Sequence, residues 1–137
     1  MTNSTSHLDE SRNAPVMYES AVWRDSRLWP GVKFRVLRMS LIRRHRLMQE
    51  LKILASEEAF HRAAPQDAGS EISAAELQTR IDEMVIRKAL RGIKGLSIDG
   101  HPATVESLID SGPESLAREI AEAIAEESFL SEDERKN

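Results

Sequence analysis

Bond chemistry needs convergent groups of the right type, and the candidates in this chain are four histidines, a few carboxylate runs and one Asp-Gly pair. His7, His45, His61 and His101 lie far apart. None stands one helical turn from another histidine, whereas a zinc site needs convergent ligands at short spacing on at least one side. Glu126-Glu127 and Glu132-Asp133-Glu134 read as a hydrated face, because a general acid and base require a pocket that moves their pKa values apart. Asp99-Gly100 lacks the further spaced Asp or Asn ligands of a calcium loop and reads as a turn. No Gly-rich phosphate loop, Gly-x-Ser-x-Gly elbow or kinase signature occurs. Cysteine is absent, which removes disulfides, thiolate metal ligation and cysteine nucleophiles. The sequence therefore predicts no enzyme, no metal site and no cofactor.

Charge segregation is the stronger signal. The net charge is -4, yet residues 32–54 hold seven Lys/Arg against one acid and residues 96–137 hold three against eleven. Such asymmetry predicts a basic contact face, an acidic solvated face, or pairing of the two. Lys33, Arg35, Arg38, Arg43, Arg44, Arg46 and Lys52 lie near Phe34 and Trp29. Cations beside an aromatic suit phosphates and bases, but the chain as a whole is acidic and carries no nucleic-acid motif, so nucleic acid is not the expected partner. Burial is the ordinary fate of Trp23 and Trp29, with anchoring of a partner as the rival.

The elements that must position these side chains follow from local signals. Val32, Phe34 and Val36 alternate with Lys33 and Arg35, predicting a strand after the Trp29-Pro30-Gly31 turn and a small two-stranded element or hairpin near the N-terminus. Ser40 is expected to cap a helix from Leu41 to about Ala64, stopped by Pro65. Ser73 and Glu76 form a capping-box sequence opening a second helix, whose apolar positions extend through Leu90 and Ile93 until Gly92 and Gly95 end it. Asp99-Gly100 predicts a tight turn and Thr104 the cap of a short helix, Val105 to Ser111. Gly112-Pro113 separates it from a last, acidic helix with a narrow stripe at Leu116, Ile120, Ala123 and Ile124. Ser131 and Glu134 make a second capping box too near the chain end for a stable helix.

Composition sets the frame: 137 residues, 40% hydrophobic, 31% charged and only 4% aromatic suit one helix-rich domain better than a sandwich or barrel. The expected fold is mainly α (α+β), about four helices with a small N-terminal β element. A disordered arm is expected at 1–15, a single domain at 16–130 and a polar tail at 131–137. Neither a spanning helix nor a secretory signal is legible.

The order Arg91, Ile93, Gly95-Leu96, Ile98-Asp99-Gly100, Ala103-Thr104, Leu108-Ile109, Gly112-Pro113-Glu114, Leu116, Glu119-Ile120 and Leu130-Ser131 to Asn137 resembles tail-region proteins of long-tailed bacteriophages and prophages. Pro30-Gly31-Val32, Phe34, Arg38-Met39-Ser40 and Arg43-Arg44 are similar in style. Within that group a small, acidic, helical, cysteine-free product is most similar to the tail assembly chaperones. The resemblance implies a non-catalytic protein of the bacterial host cytoplasm that binds tape-measure or tail-tube subunits, with self-association possible. Members of that family are often made in a short form and a frameshift-extended form, and the capping box at Ser131 and Glu134 would fit a short form. Structural connector or adaptor proteins of the virion are the alternative, and a nucleic-acid-binding regulator using residues 33–52 is another. Candidate contact residues are Trp23, Trp29, Phe34, Arg35, Arg43, Arg44, Leu116, Ile120 and Ile124, and the stripe 116–124 and the basic helix 41–54 are candidate surfaces.

Overall fold

The structure, a computed structural model, describes residues 14–63 and 70–136. Its elements are β1 (Ala21–Asp25), β2 (Lys33–Leu37), α1 (Leu41–Ala63), α2 (Ser70–Ala89), β3 (Leu90–Lys94), β4 (Ser97–Ile98), β5 (His101–Pro102), α3 (Val105–Ser111) and α4 (Glu114–Lys136). This is the expected α+β architecture of four helices with a small antiparallel β element among the described residues. Residues 1–13 of the arm expected at 1–15, the Pro65 stop and Asn137 lie outside them, as does most of the Gln66 to Ser70 loop.

Local signals form the turns. Trp29 accepts a backbone bond from Val32, with Pro30 and Gly31 (φ 89°) between them, as a type II turn requires. β1 and β2 then pair antiparallel, with Trp23 opposite Arg35 and Arg24 opposite Phe34. Asp99 (φ 52°) and Gly100 (φ 82°) turn β4 into β5, the left-handed pair that suits a two-residue hairpin loop. Ser40 accepts from the Arg43 amide at 3.2 Å, capping α1. Thr104 caps α3 through a reciprocal pair of bonds with Ser107.

Three expectations are corrected. The apolar run at Leu90 and Ile93 is a strand: α2 ends at Ala89 and β3 follows with no connecting residue. β3 pairs with β2, so the sheet has three strands in the order β1-β2-β3. Gly92 and β-branched Ile93 are poor helix residues, and the free edge of β2 supplies partners for their backbone groups. The register slips between Arg35 and Val36, leaving Arg91 as the bulged residue. Second, α2 is already helical at Ser70, so Ser73 lies inside it. Third, α4 runs unbroken to Lys136, so Ser131 sits within a helix. Gly112 does end α3, but at φ -83°; glycine is required there because a Cβ would fall 2.6 Å from the Leu108 carbonyl oxygen.

The core lies between the inner sheet face, α2, α3 and α4. Phe34, Val36, Ile86, Leu90, Leu108, Leu116, Ile120 and Ile124 are its fully buried large side chains. Each contributes about 1.5–3 kcal/mol of transfer free energy. α1 lies against α2 with Leu47 buried and Leu51 and Leu54 partly so.

Candidate functional site

α1 carries more apolar surface than its packing uses. Leu41 is 72% exposed, Ile42 52%, Met48 47% and Ile53 58%. Leu41 and Met48, seven residues apart, lie along one line of the helix beside the buried Leu47 face. Between α1, α2 and α4 runs a groove of about 250 Å³, with Leu47, Met48, Leu51, Ile81, Val85 and Ala125 among its lining. At its α4 end the Arg44 guanidinium donates to the Ser128 carbonyl at 2.7 Å, tying α1 to α4.

On the other side of the α1–α2 contact lies a second cavity of about 360 Å³ with a different character. Its floor is apolar, from Leu37, Met39, Leu47, Val85 and Ala89, and its cations are Arg43, Arg46, Arg87, Lys88 and Arg91, with no carboxylate in the lining. Lys88 reaches Glu50 at 2.8 Å across the two helices. Arg87 holds Glu83 at 3.0 Å and also pairs with Glu106. The bonds to Glu106, and then to Glu83, raise its pKa above the ordinary guanidinium value.

A third cavity, of about 600 Å³, lies between the β1–β2 loop and α4 and mixes Arg24, Arg27 and Arg118 with Glu119, Glu122 and Glu126. Glu119 and Glu126 tie α4 to β1 and the β1–β2 loop. Glu119 accepts from Ser26 Oγ at 2.6 Å and from the Arg27 amide at 2.6 Å. Arg24 pairs with Glu127 and lies 3.7 Å from Glu126.

The sequence-derived contact residues divide by burial. Phe34, Leu116, Ile120 and Ile124 are at most 2% exposed; they form the chain's own core, so the stripe on 116–124 is no accessible surface in this structure. Trp23 and Trp29, for which burial was the expected fate, are 40% and 37% exposed. Trp23 lies on the outer sheet face beside Gly92, with Lys94 Nζ 4.2 Å from its ring centroid. Trp29 donates from Nε1 to Ser115 at 3.1 Å. Arg35 shares the outer face with Trp23, and its Nε is buried without a hydrogen-bond partner. Arg44 and Arg43 line the apolar groove and the cationic cavity respectively.

Met48, Ile81 and Arg91 were missed as site residues, and Arg46 was read only as a member of the basic segment. Leu41 and Met48 at heptad spacing, off the core stripe, were the available signal for the groove. Arg91 gave none, since only the bulge in β3 brings it to α1.

Among the described residues no three or more His, Cys, Asp or Glu side chains converge as a metal site, and no helix is long and apolar enough to cross a membrane. No protein-family model, curated protein or solved structure matches this chain.

Proposed function

We propose that this chain is a non-catalytic client-binding protein, a phage tail assembly chaperone that holds tape-measure or tail-tube subunits soluble in the host cytoplasm before the tail polymerises. The observation that carries the binding reading is the exposed apolar line of Leu41 and Met48 on α1, with Met48 lining the α1–α2–α4 groove. A holding protein needs accessible apolar surface for a helix or strand of its client, ringed by charge that keeps the complex dissolved. The tail assignment rests on the sequence resemblance, and it selects the clients to be tried.

Co-expression with a tape-measure or tail-tube subunit is the test. The chain is expected to raise the soluble yield of its client, and Met48→Glu to abolish the gain while leaving the chain folded, because Met48 is half exposed. No gain with either subunit would defeat the reading. Presence at fixed copy number in purified virions would replace it with the connector or adaptor alternative.

A further inference from the structure

We infer that the cationic cavity between α1, α2 and the sheet is a second contact site, which receives an acidic segment of the client: one apolar side chain enters, and flanking carboxylates reach Arg43, Arg46 and Arg91. This deepens the client-binding reading and rests on it.

The charge bookkeeping around the cavity singles out these three cations. Lys88 and Arg87 are neutralised by Glu50, Glu83 and Glu106. Arg43, Arg46 and Arg91 make no ion pair among the described residues. Two of them are nonetheless held in place. Arg43 Nη1 donates to the Arg38 carbonyl at 3.2 Å, and Arg91 Nη1 to the Leu90 carbonyl at 3.1 Å. Backbone carbonyls orient a guanidinium without cancelling its charge, so less ordering remains to be done when a ligand arrives.

The floor decides the class of ligand. It is built from aliphatic and thioether groups with no aromatic ring, which favours an apolar side chain and offers a nucleic-acid base nothing to stack on. The rest of the chain is net negative and repels acidic partners in most orientations. An acidic segment is therefore steered to this cavity, and charge complementarity fixes its register.

The full chain is titrated into a fluorescein-labelled peptide carrying glutamates on both sides of a Leu-Phe pair, followed by fluorescence anisotropy. The comparators are the lysine version, a glutamate peptide without the Leu-Phe pair, and a single-stranded oligonucleotide. The acidic apolar peptide is expected to bind and the lysine version not to bind. Arg46→Glu and Arg91→Glu are each expected to weaken binding about tenfold, and Arg118→Gln, an exposed cation outside the cavity lining, to leave it unchanged. Arg46 and Arg91 are exposed, and Arg46→Gln repeats the test with a smaller change, expected in the same direction. Equal binding of the oligonucleotide or of the glutamate peptide without Leu-Phe would overturn the proposal, as would an affinity indifferent to all three variants of Arg46 and Arg91. Peptide binding with no client solubilised would sink the chaperone reading alone; client solubilised by the Arg46 and Arg91 variants, without peptide binding by the wild type, would sink only the cavity.

Discussion

Gly95 packs against the turn at Gly31 so closely that a Cβ on Gly95 would fall 2.2 Å from the Gly31 carbonyl oxygen. Gly95 also has φ 78°, so a substitution meets a left-handed penalty and a backbone clash together. Gly95→Ala is expected to cost about 3 kcal/mol. Gly100 has a similar φ of 82° but open space around it, and Gly100→Ala should cost only about 1 kcal/mol. Urea denaturation of the two variants separates the contributions. Equal losses would mean that the approach of the two turns is unimportant.

The contrast between these glycines also marks what a sequence can disclose. Turns and caps such as Trp29-Pro30-Gly31, Asp99-Gly100 and Thr104 were legible because their geometry is set by residues adjacent in the chain. β3 was not, because Leu90 and Ile93 continue the apolar period of α2; only the free edge of β2, remote in sequence, makes them a strand. Periodicity likewise found Leu116, Ile120 and Ile124, but it reports a stripe and not what covers it. The basic segment was visible as a charge run, whereas the cationic cavity needs Arg91 and Lys88 from another part of the chain.

Ser26 is the buried polar residue of the described core, 8% exposed, and it joins two elements. Its hydroxyl donates to Glu119 at 2.6 Å and accepts from the Trp29 amide at 2.9 Å. Ser26→Ala leaves that amide and one carboxylate oxygen without their partner, at an expected cost of about 1–3 kcal/mol. The β1–β2 loop should loosen from α4, carrying Trp29 Nε1 away from Ser115. A red-shifted tryptophan emission would report this in the folded variant; an unchanged spectrum would count against the loop being held by Ser26.

Burial and binding are assigned to different residues, and a pair of variants tests the division. Ile120 is 0% exposed and Met48 47%. Ile120→Ala is expected to lose about 2–5 kcal/mol from the cavity it creates, with a correspondingly lower Tm. Met48→Glu should change stability by no more than about 0.5 kcal/mol while removing client binding. A severe melting loss in Met48→Glu would assign the apolar surplus of α1 to the chain's own fold.

Glu127 on α4 joins the helix to Arg24 of β1 and to Arg38. Its side chain is only 14% exposed, pairs with Arg24, and has Oε1 3.5 Å from Arg38 Nε. Glu127→Gln keeps the shape and removes the charge, leaving two guanidiniums near one another with reduced compensation. The expected loss is about 1–3 kcal/mol. The Arg118–Glu114 pair on the same helix is the control, at 3.0 Å but 60% and 77% exposed. Arg118→Gln should cost about 0.5 kcal/mol or less, and added salt should erase that difference. Denaturation at low and high salt compares the two. The Glu127→Gln deficit should persist at high salt, because a largely buried pair is screened less, and a deficit that vanished with salt would rank Glu127 with the ordinary surface carboxylates.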